Sequence, residues 1–95
     1  MREKLSPLSL AELLHKVSEV TGVDAEMIPR PGKERVLARA RAIFCCLAVR
    51  DYGYTGKEAG MATGLGSAGV SIAIRRGEEL MKKDPSVRET IVVRR

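Results

Sequence analysis

Residues 55–76, TGKEAGMATGLGSAGVSIAIRR, decide how this chain is organised. Thr55 and Glu58 stand in the T-x-x-E relation of a capping box, in which each side chain satisfies a backbone N–H orphaned at a helix start. The pattern predicts a helix of about two turns over 57–63. Gly64 ends it, because glycine takes the positive φ of a helix terminus at no steric cost. Leu65 is the apolar plug of the turn. Ser67 is the expected cap of a second helix, which carries Val70, Ala73, Ile74 and Leu80 on one face. A small residue at Gly60, a turn glycine four later and Val70 six beyond that are in helix-turn-helix register. The small side chain lets the first helix cross the second closely, and Val70 anchors the second to the core.

The same letters spell two phosphate-binding patterns, and both fail on context. Gly64-Leu65-Gly66-Ser67-Ala68-Gly69 fits G-x-G-x-x-G, with Asp84 near the place of a ribose-binding acid. A dinucleotide site needs a β-strand leading into its glycines, however, and here a capped helix leads in. Gly53-Tyr54-Thr55-Gly56-Lys57-Glu58 has too short a glycine spacing for a phosphate loop, and Glu58 replaces its magnesium-binding hydroxyl. No nucleotide and no other cofactor is expected.

Ninety-five residues make one small domain. Only 3% are aromatic and none is Trp, so the core has to come from Leu, Val, Ile, Ala and Met. That composition suits short packed helices better than a sandwich, and the expected class is all-α. A net charge of +5 and a pI near 9.6 suit a polyanionic partner. No apolar run is long enough to span a bilayer, and the N-terminus does not have the apolar region of a signal peptide. Cys45 and Cys46 are adjacent inside a helical pattern, where their side chains point about 100° apart; free thiols in a reducing cytoplasm are expected. Two thiols and the remote His15 do not make a metal site.

Residues 1–8 form a short leader, expected to be loose, and 9–93 the folded domain, with the helix-turn-helix at 55–83. Ser9 and Glu12 make another capping-box pair ahead of a stripe of Leu10, Leu13, Leu14 and Val17 that ends near Thr21 and Gly22. Residues 24–28 read as one further helical turn that packs Met27 and Ile28 before Pro29 stops it. The basic connector Pro29-Arg30-Pro31-Gly32-Lys33 opens the longest expected helix, about 30 Å over 33–52. Val36, Ala40, Ile43, Phe44, Leu47 and Ala48 supply its buried face, with Arg35, Arg39, Arg41 and Arg50 off it. Residues 30–50 hold six basic groups and one acid, whereas 1–29 hold three basic and five acidic. A positive end therefore lies beside the helix-turn-helix, and an acidic helix away from it. Asp84-Pro85 breaks the second helix, and Ser86 with Glu89 predicts a capping box for a terminal helix closing the core through Val87 and Ile91.

Taken together, Ala38-Arg39-Ala40-Arg41, Leu47-Ala48-Val49-Arg50 and Glu58-Ala59-Gly60, in this order of elements, resemble the C-terminal DNA-binding domain of the bacterial replication initiator DnaA over most of 9–83. With Gly69-Val70-Ser71-Ile72-Ala73-Ile74-Arg75-Arg76-Gly77-Glu78 added, the chain looks like the initiator-like domain that ends some single-tyrosine transposases associated with repeated extragenic palindromes. The resemblance implies a Trp-repressor-like fold of about five to six helices that docks its second helix-turn-helix helix in a major groove. It also implies a minor-groove arginine just before the long helix, at the position of Arg35. The family's Arg-Asp-His-Thr-Thr reading run is one residue shorter here and replaced by Gly66-Ser67-Ala68-Gly69. Neither the initiator's ATPase module nor the transposase's His-hydrophobic-His metal motif is present.

If the second helix enters a major groove, Ser67, Ala68, Ser71, Ile72, Arg75 and Arg76 face the bases and phosphates. Arg30, Lys33, Arg35 and Arg41 then hold the backbone or a narrow minor groove. Double-stranded DNA is the expected partner, no membrane is, and nothing marks a catalytic residue: Tyr52 and Tyr54 have no activating neighbour in sequence. The competing reading is a protein-interaction module that keeps the fold without base readout, which the plain Ser-Ala-Gly helix start would suit. An enzyme would need carboxylate, histidine or metal constellations that these residues do not form.

Overall fold

The computed structural model describes residues 8–30, 32 and 34–91, and those residues are all-α, with five helices and no strand. Helix α1 (Leu10–Thr21) starts at the Ser9–Glu12 capping box: Glu12 N–H donates to Ser9 Oγ at 3.0 Å, and Ser9 N–H to Glu12 Oε1 at 2.9 Å. It ends at Gly22, whose φ is +77°. Its stripe buries Leu13 and Val17 fully and Leu10 and Leu14 in part.

The turn of helix expected over 24–28 is instead a series of tight turns. Asp24 accepts Met27 N–H on its carbonyl and Glu26 N–H on its side chain, a local pairing that competes with helix formation. Ile28 is fully buried as expected, but Met27 points outward at 41% exposure.

Helix α2 (Arg35–Cys46) is the central element; α1, α3 and α4 all pack on it, and its interface with α4 is the largest. Leu37, Ala40, Phe44 and Leu47 line its inner side at spacings of three, four and three. Val36, expected inside and one turn before Ala40, is nonetheless 57% exposed in the first turn of α2. The long helix also does not run uniformly to Tyr52. Residues Leu47–Asp51 form a π-helical turn in which Tyr52 N–H reaches back five residues to the Leu47 carbonyl at 3.0 Å. Gly53 follows at φ +77°, and Tyr54 N–H returns to the Ala48 carbonyl. This path buries Tyr52 and brings the Tyr54 hydroxyl to donate to the Leu8 carbonyl. Leu8, expected to belong to the leader, packs against the core; residues 1–7 lie outside the described residues.

Helix α3 (Gly56–Thr63) has its capping box in place, Glu58 N–H donating to Thr55 Oγ1 at 3.0 Å and Thr55 N–H to Glu58 Oε1 at 2.8 Å. Helix α4 (Ser67–Lys83) follows after Gly64, Leu65 and Gly66. The cap of α4 is Gly66, in extended conformation, and not Ser67: the helix starts one residue early, which makes Ser67 its first residue with no capping bond. Val70, Ala73, Gly77 and Met81 are its buried residues, with Ile74 and Leu80 half-buried. Helix α5 (Pro85–Ile91) packs on α1 and α4 and closes the core with Val87 and Ile91. The Ser86–Glu89 box does not form. Pro85 occupies the first helical position, where its missing N–H costs nothing, and Ser86 Oγ donates back to Asp84 Oδ1 at 2.6 Å. Among the described residues no helix is long and apolar enough to cross a membrane.

Candidate nucleic-acid interface

The α3–α4 pair depends on two glycines for its shape. A Cβ on Gly60 would lie 2.7 Å from the Leu65 carbonyl oxygen and 3.2 Å from Val70 Cγ2, so only glycine lets the helices meet this closely. Gly64 has φ +76° and would, with a Cβ, press within 2.9 Å of the Pro29 carbonyl oxygen. The turn between α3 and α4 therefore rests on the connector that precedes α2.

Helix α4 presents a ridge to solvent. Ala68, Ile72, Arg75 and Glu79 follow one another at spacings of four, three and four, which places them on one face, and all four are exposed. Ile72 is 63% exposed, the one large apolar side chain on this ridge. Ser67 and Ser71 flank the ridge on the α3 side, in a groove of about 650 Å³ that also includes Lys57, Met61, Leu65 and Ile74. Arg76 flanks it on the α2 side, where Ala38, Arg41, Leu65, Gly69, Ile72 and Arg76 line a shallower depression of about 240 Å³. All six α4 residues expected to face a partner are thus exposed on one surface: Ser67, Ala68, Ser71, Ile72, Arg75 and Arg76.

The basic residues of the connector and of α2 divide differently. Arg30 and Arg35 are exposed, and Lys33 lies outside the described residues. Arg41, expected on the outer face, is instead 7% exposed, with its guanidinium turned inward against the connector. Its Nε donates to the Ile28 carbonyl at 2.7 Å and Nη1 to the Gly32 carbonyl at 2.9 Å, while Nη2 donates to the Arg30 carbonyl. One planar fork thus meets three backbone carbonyls ahead of α2, acceptors that folding has to provide with donors where it buries them. Arg41 is therefore removed from the set of side chains that can reach a partner. Arg50 is committed as well, through an ion pair to Glu78 at 2.9 Å.

Sequence reasoning missed the depression between α2 and α4. Its lining includes Ala38, Ala42 and Gly69, small residues whose only signal is their size. The groove beside Met61, which is 77% exposed, was equally unmarked, because a lone methionine at a helix position reads as core.

The cysteines sit in the packing between α2 and the α3–α4 pair, Cys45 against Thr63 of α3 and Cys46 against Gly77 of α4. Both are free and fully buried. Burial pushes the Cys45 thiol up to about 11, against smaller opposing effects of a contact with Thr63 Oγ1 at 4.0 Å and of the Arg41 charge. Cys46 is likewise pushed up to about 11 by burial. Thiols held this firmly protonated are poor nucleophiles and poor metal ligands. Among the described residues no group of three or more His, Cys, Asp or Glu side chains is placed to hold a metal ion.

No protein-family model, curated protein or solved structure matches this chain.

Proposed function

We propose that this domain binds double-stranded DNA, with α4 entering a major groove and the connector before α2 lying along the adjacent backbone or minor groove. On this reading the α3–α4 pair is a helix-turn-helix, and the chain is a recognition domain related to those of replication initiators or transposases, working by binding without catalysis. The observation that carries the proposal is the outer ridge of α4. An exposed isoleucine and alanine between exposed serines and paired arginines supply apolar contacts for thymine methyls, phosphate donors and a guanine reader in one strip. Arg30 in the connector and Arg35 at the start of α2, both exposed, add the positive charge for the backbone or minor groove.

The first experiment is a salt titration of binding to a random duplex library, with sequencing of the retained DNA. A steep salt dependence with an enriched motif is the expected result. Arg75→Ala is then expected to relax preference at one position by about ten- to a hundredfold, the worth of a bidentate guanine contact. Unchanged preference would remove Arg75 from the major groove, and no binding at low salt would sink the proposal.

The competing reading, a protein-interaction module, is favoured by one feature, the groove between α3 and α4 with the exposed Met61 at its edge. A Met61→Lys variant that bound duplex as well as the wild type would separate this groove from DNA binding.

A further inference from the structure

The structure assigns to Arg41 a positioning role for the DNA face: its guanidinium fixes the Arg30-bearing connector against α2 so that connector and α4 address one duplex together. This inference rests on the DNA reading and adds to it a residue that touches no DNA. Three facts support it. Arg41 is almost completely buried, and its donors end on three carbonyls of the connector, those of Ile28, Arg30 and Gly32. The same side chain lines the depression whose other wall is Ile72 and Arg76 of α4, so the clamp sits at the junction of the two contact surfaces. The connector is braced a second time where the Pro29 carbonyl packs on Gly64, the pivot between α3 and α4.

The physical consequence is preorganisation. A Pro- and Gly-containing connector has no helix or sheet to order it, and a basic side chain on a loose loop loses conformational entropy when it settles on a phosphate. Three hydrogen bonds from one rigid fork make that ordering part of folding. Lysine keeps the charge but not the fork: its donors radiate from a single nitrogen and cannot meet three carbonyls spread over five residues.

The test is a double-mutant cycle on duplex binding with wild type, Arg30→Ala, Arg41→Lys and the double variant, each held well below its melting transition. Arg30→Ala is expected to weaken binding about three- to tenfold and to lower the salt slope by about one. Arg41→Lys, though charge-neutral, is expected to cause a loss of the same order and the same change in slope, and the double variant to be no weaker than Arg41→Lys alone. A merely structural role cannot produce this pattern, because partial unfolding lowers affinity by the same factor whether or not Arg30 is present. Independent, multiplicative losses would overturn the inference, as would an Arg41→Lys variant with full affinity.

A second measurement needs no substitution. In the wild type the Arg41 Nε–H nitrogen resonance is expected to exchange slowly with water and to stay in place when duplex is added, while that of Arg30 moves. A rapidly exchanging Arg41 Nε–H would overturn the assignment even if the lysine variant failed to fold. Wild type that binds no duplex removes the DNA reading and this inference together; wild type that binds, with independent losses at Arg30 and Arg41, removes this inference alone.

Discussion

Burial of a thiol is a statement about stability as well as reactivity. In the unfolded chain Cys45 and Cys46 ionise near their ordinary 9.0, whereas in the folded protein both are held up to about 11. Below pH 9 neither state is ionised at these positions, and their contribution is fully present. Between about pH 9 and 11 the unfolded chain binds fewer protons than the folded one, so stability falls as pH rises. Burial raises Tyr52 in the same direction. Urea unfolding midpoints measured on either side of this window are expected to drop more for the wild type than for Cys45→Ala/Cys46→Ala, whose profile should be flatter. Parallel profiles would show that the thiols are not protonation-linked to folding.

The helices are held together by close approach more than by bulk. Gly77 on α4 meets α2 so tightly that a Cβ would lie 2.7 Å from Cys46 Cβ and nearer still to the Ala42 carbonyl oxygen. Backbone cannot step aside as a side chain can, so Gly77→Ala is expected to cost about 3 kcal/mol despite alanine's better helix propensity. Gly56 is the internal contrast. It opens α3, and a Cβ there would meet Val70 Cγ1 at an ordinary 3.8 Å. Gly56→Ala is expected to stabilise by about 0.5 kcal/mol through the unfolded chain's lost freedom. Chemical denaturation of the two variants checks both signs at once; equal effects would mean that the α2–α4 crossing is looser than its geometry.

For the molecule as a whole, the distribution of charge matters more than the sum. Helix α1, in which Glu12 and Glu19 outnumber Lys16, has its interfaces with α2 and α5, whereas the outer ridge of α4 carries Arg75 with Arg76 beside it. Glu79 is the one acid on that ridge, a turn beyond Arg75. It sets a limit on how far along α4 a polyanion can lie. Glu79→Gln is therefore expected to tighten duplex binding about two- to fivefold at low salt, with the gain fading as salt rises. Glu19→Gln on α1 makes the same change in net charge and is expected to leave affinity almost unchanged. Equal gains from both would mean that only total charge counts and that α4 has no special orientation toward DNA.

Most of the architecture was legible before any coordinates, and the reason is local. Capping boxes at Ser9 and Thr55, left-handed glycines at 22 and 64, and apolar residues at helical spacing act within a few residues of themselves, so their meaning survives in one dimension. The strip on α4 was legible for the same reason, since a helix with one apolar face has a determinate opposite face. Three local readings, at Asp24, Ser67 and Ser86, gave way to neighbours within a few residues; the other misjudged residues were those whose role depends on distant chain. Arg41 reads as one more surface base until the carbonyls of Ile28, Arg30 and Gly32, nine to thirteen residues away in sequence, come within reach of its guanidinium. Val36 is exposed and Leu37 buried in the first turn of α2, although Ala40, Ile43, Phe44, Leu47 and Ala48 are buried as their spacing predicts: a side chain in a first turn is covered only if another segment packs over it. The groove beside Met61 and the depression beside Ile72 exist only where separate helices meet. Spacing along a chain fixes which side chains share a face, and packing between faces fixes which of them remain free to meet a partner.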